Sequence, residues 1–199
     1  MTIIEVQSRP SGLTARQRWS HYFVLIYGVF AVIIGFNLRS ATLTATIPYA
    51  NSAAGIRAYY PQNWLLDTSG DYVFRVRDMA QTGFKTTIQV AVQPVTINTT
   101  ARNLLDTLTL NRAPALSAYD VLSTNPYILP NERQATAMTY VFVASEANPF
   151  LESLPQVVEG LDVITIQSGQ AIIVTFLSSV ETYEDNLPIF ERFLNDLEF

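Results

Sequence analysis

Residues 19–38 read WSHYFVLIYGVFAVIIGFNL, and within them Tyr22 to Phe36 carry no charge and no strongly polar side chain. Twenty residues of helix rise about 30 Å, the thickness of the hydrocarbon core of a bilayer. A segment apolar on all faces, with Trp19, Tyr22 and Arg39 at its ends, reads as a membrane span rather than a buried core helix. The expected organisation is therefore a short N-terminus over residues 1–18, a transmembrane anchor over 19–39, a linker over 40–53 and a folded domain over 54–199. Arg9, Arg16 and Arg18 precede the span, whereas Arg39 alone follows closely. That bias keeps the N-terminus cytoplasmic and sends the rest of the chain across the plasma membrane, as an extracytoplasmic domain on a single-pass protein.

A cleaved signal peptide has the same outline, a charged segment before an apolar core. Cleavage needs small residues at −3 and −1, and the nearest pairs, Leu43/Ala45 and Pro48/Ala50, place a bulky residue or a proline at −3. A retained anchor fits better. The chain has no cysteine, which removes disulfides, thiolate metal sites and an acylated anchor together. Its one histidine, His21, stands at the membrane end of the anchor, so no imidazole is available in the domain for metal binding or base catalysis. Residues 40–199 carry eight basic and sixteen acidic side chains, a balance of about −8. Nucleic acid and anionic headgroups are poor partners for such a surface, and basic cations or a basic protein face are better ones.

After the threonine-rich tether, alternation dominates. The first strand is expected over Gly55–Tyr60, turned by Pro61-Gln62-Asn63-Trp64, with Leu65-Leu66-Asp67 continuing beyond. Tyr72–Arg77 (YVFRVR) sets Tyr72, Phe74 and Val76 against Val73, Arg75 and Arg77, and Phe84–Val95 alternates similarly, as half-buried antiparallel strands do. A helix capped by Thr99 or Thr100 follows, with Ala101, Leu104, Leu105 and Leu108 at helical spacing. Further strands are expected over 119–124, 135–145, 156–167 and 170–178, the last two joined at Ser168-Gly169. The chain should end in a second helix with Asn186 as cap, Pro188 in its first turn, and Leu187, Phe190, Leu194 and Leu197 as its buried stripe. Strands, helix, strands, helix argues for an α+β domain, an antiparallel sheet covered by helices, rather than a doubly wound nucleotide fold.

Two passages together carry a resemblance: Tyr59-Tyr60-Pro61-Gln62-Asn63-Trp64, and a late aliphatic strand followed by Tyr183, Asn186, Pro188, Phe190 and Phe193. In order and spacing they are similar to the PsbP-like family, α/β/α sandwich domains named for the extrinsic subunit of photosystem II. The likeness spans about residues 54–199. It implies a central antiparallel sheet with helices on both faces, and a non-catalytic role beside a membrane-bound assembly. Scarce basic residues and the lack of a domain histidine mean that neither the photosynthetic subunit's docking surface nor a metal site carries over. Trp64 has a purely structural reading as well, a core residue beneath a proline turn.

No G-x-S-x-G, P-loop, G-x-G-x-x-G or H-E-x-x-H occurs, and composition excludes Ser-His and Cys-His pairs. Asp67 and Asp71 flank a glycine turn without the alternating ligands of a calcium loop, so they read as a solvated turn. Glu181, Glu184 and Asp185 precede the last helix, where carboxylates suit the helix dipole. Asn98-Thr99-Thr100 matches a glycosylation sequon but reads as a helix entry. No catalytic residue, cofactor or metal is assigned. Candidate contact positions are Gly28 and Gly35 for helix packing in the membrane, and two apolar loop tips, Tyr127-Ile128-Leu129 and Phe150-Leu151, for a partner. The reading favoured is an accessory or stabilising subunit of a photosynthetic or respiratory membrane complex. Its competitor is a free-standing surface protein binding a small apolar ligand or an extracellular partner.

Overall fold

The structure, a computed structural model, describes residues 15–43, 45–130, 132–145 and 154–199. The chain divides into two compact units, with the boundary between Ala45 and Thr46. The first holds α1 (Ala15–Leu43), of which Ala15–Arg39 is long and apolar enough to cross a membrane. The helix outruns the expected anchor at both ends. Beyond Arg39 it persists for another turn, where the Thr42 hydroxyl donates to the carbonyl oxygens of Leu38 and Arg39.

The expected linker over 40–53 is a second departure, because Thr46–Asn51 forms strand β1. It pairs antiparallel with β2 (Ile56–Pro61), from Thr46 opposite Pro61 to Asn51 opposite Ile56. Ile47 and Tyr49 alternate inward, the Tyr49 ring lies 4.4 Å from that of Phe74, and its hydroxyl donates to the Val73 carbonyl at 3.1 Å. The hairpin turn is held by Asn51, whose side-chain oxygen accepts from the amides of Ala53 and Ala54.

The other strands form one antiparallel sheet in the order β3 (Leu65–Asp67), β4 (Phe74–Arg77), β5 (Thr87–Pro94), β9 (Gln170–Ser179), β8 (Gln156–Gln167), β7 (Gln134–Ala144), β6 (Ser117–Ile128). The Ser168-Gly169 turn lies where expected. Both residues have positive φ, 51° and 78°, as a two-residue hairpin turn of the twisted kind requires. Central β9 is buried on both faces through Ala171–Phe176, which explains its unbroken apolar run.

Helices cover both faces. On one, α3 (Tyr183–Asn195) and the β1–β2 hairpin enclose Phe74, Val76, Ile88, Val90, Val174 and Phe176. Trp64 belongs to this core at 5% exposure, its amide bonded to the Pro61 carbonyl, as its structural reading requires. On the other face α2 (Ala101–Arg112) packs against β7 and β8 over Met138, Tyr140, Phe142 and Ile164. Thr100 caps α2, its hydroxyl accepting from the Asn103 amide at 3.2 Å. This is the expected α/β/α sandwich.

The start of α3 corrects the sequence reading. Thr182, not Asn186, is its N-cap residue, so Asn186 and Pro188 lie inside the helix. Asn186 is buried and donates to the Thr86 and Ser178 hydroxyls and to the Thr182 carbonyl. Leu197 is buried but lies beyond the helix end.

Candidate functional site

Of the proposed partner positions, Ile128 alone among the described three projects freely, at 73% exposure. Leu129 is a correction: it is 3% exposed and part of the larger core. The stretch read as a loop is mostly strand β6, running to Ile128 opposite Gln134. In the tight turn that follows, Leu129 exchanges backbone hydrogen bonds with Glu132 and Arg133, which swings its side chain inward. Tyr127 is half-buried against the same core. Phe150 and Leu151 lie outside the described residues. Gly28 and Gly35 sit on α1 with open space where a side chain would project. Seven residues apart, they share one side of the helix.

The titratable groups most altered by the fold are structural. Asp162 is fully buried in β8 and forms a forked ion pair with Arg112, at the end of α2. Thr175 donates to the same carboxylate at 2.7 Å. The Arg112 guanidinium lies 4.6 Å from the centre of the Tyr140 ring, and Gly160 leaves room for that ring. Burial is the largest single influence on Arg112 and pulls its pKa down, but the Asp162 charge and hydrogen bond, with Tyr140 and Tyr119, together outweigh it and leave the pKa above its ordinary value. Burial, then the Asp162 charge, pushes the Tyr140 hydroxyl well up. The Asp162 carboxylate is answered by both Arg112 and Thr175, and this ion pair locks α2 to the sheet.

Asp67 and Asp71 likewise form no ion site. The Asp67 carboxylate accepts from the Ser69 hydroxyl and amide, the Tyr72 hydroxyl and Arg75, which together hold its pKa well below the usual carboxylate range. Near α3, burial and then the Glu184 charge raise the pKa of Glu159. Among the described residues no three His, Asp or Glu side chains group to hold a metal.

What the sequence reading passed over is on the α2 face. Alpha2 covers β7 and β8, while the β4–β5–β9 part of that face carries Arg75 and Arg77 on β4, opposite Gln89 and Thr87 on β5. With Lys85 and an apolar wall of Phe84, Leu116, Phe142 and Leu177, they line a cleft of about 410 Å³. A second cleft, of about 540 Å³, lies between α2 and the β6–β7 edge, lined by Arg102, Asp106, Thr109, Val121, Pro126 and Met138. The YVFRVR alternation assigned Arg75 and Arg77 to a solvated face. The available signal was the scarcity of basic residues, since two stand on one face of a four-residue strand.

The fold defines the class: an α+β sandwich of the PsbP-like kind, preceded by a candidate membrane helix. The sandwich recurs in solved structures, of which three follow. The chain is similar to the cyanobacterial PsbP protein (CyanoP) of Synechocystis, with 10% identity, TM-score 0.51, and 77% of this chain and 92% of that one covered. It is similar to the Ran-binding protein Mog1p of Saccharomyces cerevisiae at 8% identity and TM-score 0.50, covering 77% and 95%. It is also similar to LpqN of Mycobacterium tuberculosis, involved in cell envelope biogenesis, at 12% identity and TM-score 0.50, covering 77% and 89%. No sequence family and no curated protein matches the chain. The likeness is one of fold, and it bears out the expected PsbP-like architecture.

Proposed function

We propose that this protein is a single-pass, membrane-anchored accessory subunit. Its N-terminus is cytoplasmic, and its PsbP-like domain lies outside the membrane and stabilises a membrane protein complex of the photosynthetic or respiratory kind. The observation that carries the reading is α1, whose stretch Ala15–Arg39 is long and apolar enough to cross a membrane, in a chain whose structural relatives include cyanobacterial PsbP and an envelope-biogenesis protein. A helix of that length and composition spans a bilayer with its backbone groups satisfied internally. The role is non-catalytic, which agrees with neighbours characterised by binding and assembly.

Gly28 and Gly35 mark the face of α1 that packs against transmembrane helices of the complex, since small residues permit close backbone approach. Solubilisation in mild detergent followed by native electrophoresis tests the reading. The wild-type chain should migrate with a large complex, and the G28L/G35L variant should be released with its domain still folded. Solitary migration of the wild-type protein would refute the accessory role. Unchanged co-migration of the variant would refute the glycine contact alone.

A further inference from the structure

The cleft over β4 and β5 is unlike the rest of the domain surface. Residues 40–199 hold eight basic side chains against sixteen acidic, yet three of the eight, Arg75, Arg77 and Lys85, line this one depression, and no carboxylate belongs to its described lining. One of the three is answered by an acid: Arg75 pairs with Asp67 at 2.6 Å. Lys85 gives its ammonium to the Gln81 carbonyl. Among the described residues Arg77 has neither ion pair nor side-chain hydrogen bond. The Nε–H groups of Arg75 and Arg77 are buried with no acceptor. A buried donor without a partner is costly, and native proteins rarely keep two side by side.

The same cleft is lined by the apolar side chains of Phe84, Leu116, Phe142 and Leu177. A cavity of about 410 Å³ is in the range that encloses a small organic molecule. We infer that this cleft is a binding site for a small amphiphilic anion, its carboxylate, sulfonate or phosphate group held by Arg77, Arg75 and Lys85 and its apolar body laid against Phe84, Phe142 and Leu177. Guanidinium forks match oxyanions through paired N–H donors, and such charge-assisted hydrogen bonds are stronger than neutral ones. The two kinds of lining select for both properties at once: a bare inorganic anion leaves the apolar side chains wet, and a neutral apolar molecule leaves Arg77 unanswered.

The test uses the full chain in nanodiscs of zwitterionic phosphatidylcholine, titrated calorimetrically with 2-naphthalenesulfonate and with the neutral 2-naphthylmethanol, with empty discs as blank. The wild-type protein should bind one sulfonate saturably and the alcohol at least about tenfold more weakly, the loss expected when a charge-assisted hydrogen bond is missing. R77Q/K85Q should weaken sulfonate binding by about tenfold or more without changing the affinity for the alcohol. R77K, which keeps the charge, should retain most of it, and a matching circular dichroism spectrum establishes that each variant is folded. Repeating the titration in discs containing phosphatidylglycerol separates two sources of the same chemistry: competition there identifies the anion as a lipid headgroup, and undiminished binding identifies it as a soluble acid. No saturable binding, equal binding of sulfonate and alcohol, or unaltered sulfonate affinity in folded R77Q/K85Q would overturn the inference.

Discussion

Replacing Arg112 by Met isolates the energetics of the ion pair that joins α2 to the sheet. The change keeps an unbranched apolar stem against Tyr140 but strands Asp162, which has no exposure and keeps one side-chain donor, Thr175. Leaving one member of a buried pair unpaired costs about 3–5 kcal/mol. R112M should be less stable than wild type by about that amount. Asp162→Asn should behave differently. Arg112 cannot shed its charge, but it is 20% exposed and sits at the C-terminal end of α2, where the helix dipole favours a cation. Its loss should be about 2–3 kcal/mol, smaller than that of R112M. Urea titration of the full chain in a non-ionic detergent, followed by near-ultraviolet ellipticity, measures both. An R112M loss below about 1.5 kcal/mol, or no larger than that of D162N, would refute the reasoning.

Trp64→Ala should cost about 3–5 kcal/mol in the same titration, since the ring fills core beneath the Pro61 turn, and a variant as stable as wild type would return Trp64 to the surface. Asp67 has a folded pKa below its ordinary 3.8, so the stability it contributes is present above pH 3.8 and lost as pH falls through the lower folded value. In D67N this part of the acid limb should vanish, visible as a flatter dependence of the urea midpoint on pH below 3.8. Protease added outside right-side-out vesicles should degrade residues 46–199 and spare the N-terminus, and protection of Phe199 would reverse the proposed orientation.

What could be read in the sequence was what depends on neighbours close along the chain. The Thr100 cap, the Ser168-Gly169 turn and the apolar run of β9 all follow from local backbone chemistry or from burial on two faces. Local reading fails where a distant partner decides. The threonine-rich stretch before Ile56 reads as tether, yet Ile47 and Tyr49 gain a core from Phe74 and the β2 strand. Asn186 has the chemistry of a cap, but Thr86 and Ser178, brought to it by the fold, make it a buried tie between α3 and the sheet. Tyr72 shares the alternation of Phe74 and Val76, but the strand begins only at Phe74, and Tyr72 packs with the opposite cluster.

The cationic cleft follows from the unequal cover of the two sheet faces. A helix with its side chains is about 10 Å wide and strands are spaced about 4.8 Å apart, so one helix hides roughly two strands. The face under α3 gains the β1–β2 hairpin as a second cover and is apolar across β4, β5 and β9. The α2 face has one helix, placed over β7 and β8, so residues of β4 and β5 on that side had to be polar. Solubility alone would be met by any polar side chain there, and in a domain with twice as many acids as bases an acid is the common choice. Beta4 instead offers Arg75 and Arg77, one of them unanswered, beside an apolar wall. Uncovered geometry accounts for the polarity of this surface, while its sign is what points to an anion.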